Sequence, residues 1–94
     1  MFTLEKRTAL VTGAGQGMGL GIARTLGLQG ASLLINDLFV ERAEAACDLL
    51  REQGLRAQPL PFDITEYQAT VEAISSAGDI DILVNNAGIP GVEG

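Results

Sequence analysis

Short apolar runs and amphipathic segments alternate along the chain. Ala9-Leu10-Val11, Leu33-Leu34-Ile35 and Ile82-Leu83-Val84 are continuous apolar runs, and the pattern predicts strands at about 8–12, 32–37, 56–61 and 80–85. Three segments of helical spacing lie between them. In the first, about 17–29, Met18, Ile22 and Leu26 recur every four residues and Gly30 stands where a helix-ending glycine belongs. The second, about 40–53, gathers Val40, Ala43, Cys47 and Leu50 on one face and ends before Gly54. The third, about 66–77, carries an apolar stripe of Tyr67, Val71 and Ile74; Thr65 with Gln68 forms a capping-box pattern at its start, and Gly78 ends it. The order is therefore βαβαβαβ. Strands that are apolar throughout are covered on both faces by helices, which is the habit of a parallel sheet. Right-handed crossovers then place the strands in the order 3-2-1-4, and an open α/β sheet binds ligands where the first and fourth strands diverge.

Composition narrows what such a unit does. At 94 residues the chain is one small domain, 1–94, with no repeat or linker to divide it. Six Lys and Arg stand against twelve Asp and Glu, a net charge of −6 without a basic cluster, which disfavours nucleic acid and anionic membranes as partners. Cys47 is the single cysteine and there is no histidine, so neither an internal disulfide nor a Cys/His metal site is expected. No run has signal-peptide or membrane-spanning length, and a soluble, cytoplasmic protein is expected.

The candidate chemistry begins at VTGAGQGMG, residues 11–19, directly after the first strand. A turn from strand into helix offers free backbone N–H groups and the positive end of a helix dipole, so a pyrophosphate settles there if no side chain blocks it. A P-loop is excluded because Met18 follows Gly17 and the chain's one lysine is Lys6. A G-x-G-x-x-G pattern starting at Gly13 fails at Met18 as well. The spacing is T-G-x-x-x-G-x-G through Thr12, Gly13, Gly17 and Gly19, with Gly15 as an additional glycine. Asp37 ends the second strand, twenty residues after Gly17; PFDIT, with Asp63 and Ile64, ends the third; DILVNNAG, residues 81–88, forms the fourth and runs into two amides and a glycine. Each has a plainer reading. The glycines could be only a helix-start turn, Asp37 or Asn36 an N-cap of the second helix, Asp63 a turn carboxylate, and NNAG an ordinary strand ending.

Together, from about Leu4 to about Ile89, these stretches resemble the cofactor-binding portion of the short-chain dehydrogenase/reductase family. The resemblance implies a Rossmann-like α/β fold, here an incomplete doubly wound one, and NAD(P)-dependent hydride transfer between the nicotinamide and a small alcohol or carbonyl substrate. It implies a cofactor set of Gly13, Gly15, Gln16, Gly17, Met18, Gly19, Asp37, Asp63, Ile64, Asn86, Ala87 and Gly88, with Asp37 on the adenosine ribose and Asp63 on the adenine amino group. It also implies a homo-oligomer. The family's catalytic serine and Tyr-x-x-x-Lys have no counterpart: the one tyrosine, Tyr67, is followed four residues on by Val71 and reads as a core residue. The catalytic positions are expected beyond Gly94. A noncatalytic dinucleotide-binding or interaction module, complete at 94 residues, is the alternative; an S-adenosylmethionine site is a weaker third, because Leu10-Val11-Thr12 stands where an acid usually precedes the glycines. Between cofactors, Asp37 favours NAD. The 2′-phosphate of NADP would bring a second anion within about 4 Å, costing up to about 4 kcal/mol at an effective dielectric near 20. Neither Gln16 nor Leu38, beside the loop and the acid, supplies a cation. Finally, Ile82, Leu83 and Val84 are expected to form an exposed apolar edge that invites association.

Overall fold

The computed structural model describes residues 3–87. Four parallel strands, β1 (Thr8–Val11), β2 (Ser32–Ile35), β3 (Ala57–Pro59) and β4 (Ile82–Val84), form one sheet in the order β3-β2-β1-β4. They alternate with α1 (Gly17–Leu28), α2 (Val40–Glu52) and α3 (Tyr67–Ala77). The predicted Rossmann-like α/β architecture and strand order are both present. Register places Ala9 beside Leu33 and Ile82, and Val11 beside Ile35 and Val84. These residues share one sheet face, since side chains alternate along a strand.

That face carries the core. Ala9, Val11, Leu33, Ile35 and Ala57 pack with Ala23 of α1 and with Ala46, Cys47 and Leu50 of α2. The helix faces differ from the pattern-based expectation. On α1 the buried residues are Gly19, Ala23 and Gly27, while Met18 is 76% exposed and Ile22 and Leu26 are only partly covered. The small stripe lets the helix axis approach the sheet, and the larger stripe lies to its side. On α2, Ala43, Ala46, Cys47 and Leu50 are buried, whereas Val40, at the first turn, is exposed. Burial pushes the Cys47 thiol above its usual pKa, so this cysteine behaves as a small core residue.

The opposite face is thinner. Leu10 is fully buried, but its register partner Leu83 on the edge strand is 59% exposed. No residue of α3 is fully buried. Tyr67, expected in the core, is 80% exposed, and Val71 and Ile74 are open as well. β4 is the sheet edge among the described residues, so the stripe on α3 lacks the surface it is patterned to cover. The start of α3 also differs. Glu66 is its N-cap and no side chain caps it; Thr65 instead donates both its hydroxyl and its backbone N–H to Oδ1 of Asp63, at 2.6 and 2.9 Å. The stronger acceptor next door claims the hydroxyl that a capping box would use.

Candidate functional site

The carboxyl ends of the four strands converge on the turn between β1 and α1. Thr12 continues β1 by donating its N–H to Val84 O at 3.0 Å, and its hydroxyl accepts the Ala87 N–H at 3.1 Å. Asn86 Nδ2 donates to Gly13 O at 3.2 Å. The end of β4 is thereby latched to the glycine turn by three bonds around one threonine and one asparagine. From the other side Asn36 holds the same turn. Its Oδ1 accepts the Gly13 N–H at 3.2 Å, and its Nδ2 donates to Leu60 O and Phe62 O at 3.2 and 3.0 Å. Asn36 is almost wholly buried, so it is not a helix cap but the hub tying the ends of β1 and β3 to that of β2.

Within this frame the glycines have separate duties. Gly13 and Gly17 adopt left-handed backbone conformations, with φ of +61° and +63°, which turn the chain out of β1 and into α1. Nothing lies within 4 Å of the place a Gly17 side chain would occupy, so the approach to the start of α1 is open. Gln16 is the N-cap, with no side-chain cap bond and no acidic residue in the first turn. The first N–H groups of α1 thus have no acceptor from the helix itself and point toward the open side. Gly19 faces inward: a Cβ there would run into Gly13 O and come 2.6 Å from Asn86 Nδ2. Gly15 is explained by Asp37, whose Oδ2 a Cβ at position 15 would strike.

Asp37 is buried and fixed. Its Oδ2 accepts the Gly15 N–H at 3.1 Å, and its Oδ1 accepts the Phe39 N–H at 3.0 Å. The second bond closes a turn two residues long before α2, whose N-cap is Phe39. A carboxylate has about four acceptor sites, so two hydrogen bonds leave capacity for a ligand hydroxyl. Asp63, at the end of the β3 segment, is held by Thr65, and those hydrogen bonds lower its pKa from the usual 3.8. It remains a carboxylate at neutral pH.

These ends enclose a cleft of about 480 Å³. Gly13, Gln16 and Gly17 form one wall, Asp37 the middle, Asp63 and Ile64 the far wall, and Asn86 and Ala87 the side toward β4. Three predicted residues do not line it. Gly15 lies under Asp37 and Gly19 under the turn, where both serve packing; Met18 turns into a shallow groove with Ile22 and Leu26. Gly88 lies outside the described residues. The structure adds Thr12, Asn36 and Arg42, to which pattern reading gave no role at this site. Arg42 lines the cleft, rests over the Phe39 ring at 4.7 Å and brings Nη1 to 4.0 Å from Asp37 Oδ1.

A set of open helix N–H groups, two carboxylates and an apolar wall suits an elongated, anionic ligand with hydroxyl and amino groups to bind. A nicotinamide dinucleotide has that chemistry, and the space over Gly17 is what its pyrophosphate requires. Comparison with known proteins agrees. Residues 7–94 match the family described as "short chain dehydrogenase". The chain is 45% identical over 93 residues to 5-keto-D-gluconate 5-reductase of Escherichia coli K12, covering 95% of this chain and 37% of that protein. The chain thus spans little more than a third of that relative's length. Among solved structures it superposes on a gluconate 5-dehydrogenase from Burkholderia cenocepacia, in complex with NADP and tartrate, with a TM-score of 0.87 and 43% identity over 94% of this chain and 36% of the other. It also superposes on a 3-oxoacyl-[acyl-carrier protein] reductase with bound NAD from Brucella melitensis, with a TM-score of 0.84 and 37% identity over 95% of this chain and 35% of the other.

Proposed function

The chain belongs to the short-chain dehydrogenase family, and we propose that residues 1–94 form one NAD(P)-binding domain serving hydride transfer between a nicotinamide cofactor and a small alcohol or carbonyl substrate. The observation that carries this reading is the single cleft into which the open start of α1, Asp37 and Asp63 all face. Relatives named as a keto-gluconate reductase and an oxoacyl reductase both act on a carbonyl, which supports that substrate class.

When bound, the dinucleotide supplies the hydride acceptor or donor. The chain's own residues bind and orient it. The open start of α1 at Gly17 holds the pyrophosphate, and Asp37 accepts the ribose hydroxyls with the acceptor capacity left by Gly15 and Phe39. Asp63 accepts the adenine amino group beside Ile64, while Asn86 and Ala87 close the side toward the substrate. Proton transfer has no carrier among these residues. Tyr67, the one tyrosine, is exposed on α3 and has Val71 where a lysine would lower its pKa. That observation keeps a second reading in view, a dinucleotide-binding module without catalysis of its own. A cytoplasmic location is supported by the free, buried Cys47, and a homo-oligomer by the exposed apolar residue of the β4 edge.

For the cofactor, NAD is favoured over NADP, because a buried carboxylate at the end of β2 accepts two hydroxyls but repels a phosphate. The test is to titrate both dinucleotides into the native chain and into Asp37→Ala. NAD should bind more tightly to the native chain, and the substitution should narrow the difference. Equal affinities, or a preference untouched by Asp37→Ala, would return Asp37 to a purely structural role.

A further inference from the structure

Thr8, Ser32 and Arg56 stand in one row across the amino ends of the strands, at the other end of the sheet from the glycine turn. Thr8 is in register with Ser32, and Leu33 with Ala57, which sets Arg56 beside Ser32 just ahead of β3. The row belongs to the face opposite the core, where Leu34 and Gln58 form the next pair. It lines a cavity of about 580 Å³ together with Gln58, Arg51 and Ala77, the last residue of α3. No carboxylate lines this cavity.

Its polar groups lean to donation. Arg56 donates from Nε to Ser32 Oγ at 3.1 Å and from Nη2 to Gly30 O at 3.2 Å. Those bonds fix the guanidinium against the sheet and leave three of its five N–H groups unspent. Ser32 accepts one of them and keeps its own proton, while the Thr8 hydroxyl and the Gln58 amide have no hydrogen-bond partner among the described residues. Charge points the same way. Arg7 lies 3.6 Å from Asp81 and Arg51 3.6 Å from Asp48, but Arg56 has no carboxylate partner among the described residues. The end of α3 brings about half a negative unit charge to the wall at Ala77, less than the whole charge of Arg56. A pairing strand is a poor occupant, because Arg51 Nε already takes Ala57 O at 2.9 Å and Pro59 has no N–H to offer the edge.

We infer that this cavity binds a small molecule through an oxyanion, a phosphate or carboxylate group held by the Arg56 guanidinium and the Ser32 and Thr8 hydroxyls. A guanidinium fork fits either group, and strands about 4.8 Å apart put both hydroxyls within reach of one oxyanion. The remaining volume takes an organic remainder over Leu34 toward Gln58. Because the row joins β1 to the edge strand β3, an occupant ties the edge of the sheet to its centre, and binding stabilises the folded chain by mass action. No lining residue is shared with the cofactor cleft, so failure of either site leaves the other untouched.

The experiment is an amide titration of the 15N-labelled chain with sodium phosphate and, separately, with sodium citrate. Each is run against sodium chloride at equal ionic strength, for the native protein, Thr8→Val and Arg56→Gln. Saturable shifts with a millimolar midpoint are expected at Thr8, Ser32, the Arg56 Nε–H and the Gln58 side-chain amide, and the tighter of the two ions names the group the site prefers. Arg56→Gln should weaken binding by about tenfold or more, the scale of a charge-assisted hydrogen bond, and Thr8→Val by about two- to tenfold, the scale of a neutral one. Should Arg56→Gln fail to fold, Thr8→Val decides alone, since its hydroxyl has no partner within the described chain. Shifts that chloride reproduces, shifts confined to the glycine turn, or a midpoint unchanged by the substitutions would overturn the assignment.

Discussion

Asn36→Ala should be among the most damaging single changes in this chain, although Asn36 touches no ligand in the proposed reading. The side chain is 2% exposed and makes three hydrogen bonds, one accepted from the Gly13 N–H and two donated to Leu60 O and Phe62 O. Each intramolecular hydrogen bond contributes about 1 kcal/mol net, and a buried group left without its partner costs about 1–3 kcal/mol. Three such bonds lost together, with water only partly able to replace them, come to about 3 kcal/mol. For a domain of this size that is a fall in melting temperature of about 12 °C or more. Asn36→Asp is the sharper probe. It keeps the acceptor for Gly13 but sets a carboxylate against two carbonyl oxygens and beside Asp37, so at neutral pH it should cost at least as much. Urea unfolding followed by circular dichroism gives both values. A loss under about 1 kcal/mol for both variants, with an unchanged slope against urea, would refute the assignment of Asn36 as the hub of the strand ends.

Gly19→Ala should distort the turn and weaken dinucleotide binding, because its Cβ meets the backbone oxygen of Gly13 and the amide of Asn86; Gly21→Ala, where nothing lies within 4 Å, should be neutral or slightly stabilising, and thermal melts with NAD titrations compare the two. The lowered pKa of Asp63 means that its hydrogen bonds to Thr65 add stability above the usual 3.8 and lose it as pH falls through the lower folded value; carboxyl carbon NMR should show Thr65→Val moving that pKa back up, and an unmoved value would reject Thr65 as the cause. Leu83→Lys should suppress self-association of the chain in light scattering at rising concentration, since Leu83 is exposed on the free edge strand; a native chain that stays monomeric throughout would contradict that reading of the edge.

The strands and their order were legible because continuous apolar runs between amphipathic segments leave few topologies once right-handed crossovers are required. Their ends were less so. β3 was expected over about 56–61 but ends at Pro59; proline has no N–H to extend the ladder, and a second proline at 61 stops it again. Pattern reading favours large side chains, so it chose Met18, Ile22 and Leu26 for the buried face of α1, where close packing uses Gly19, Ala23 and Gly27. The stripe on α3 was recognised, but its burial depends on surface that the described residues do not provide.

Gly13, Gln16, Gly17, Asp37, Asp63, Ile64, Asn86 and Ala87 stand out by spacing and resemblance, and in the folded chain they line one cleft. The groups that hold them there were not found. Asn36 resembles a cap in a string of letters, since only burial reveals that its amide faces inward to two carbonyls. Arg42 is not legible as a neighbour of Asp37 in the sequence, because only the first turn of α2 brings a residue five positions on back toward the acid.

The most direct test of the central claim is the amide spectrum of the 15N-labelled 94-residue chain during titration with NAD. Dinucleotide binding at the glycine turn predicts saturable shifts centred on Gly15 to Gly19, Asp37 to Phe39 and Asp63 to Thr65, with little change along α3. A spectrum unmoved at millimolar NAD, or shifts concentrated on α3 and the β4 edge, would contradict it.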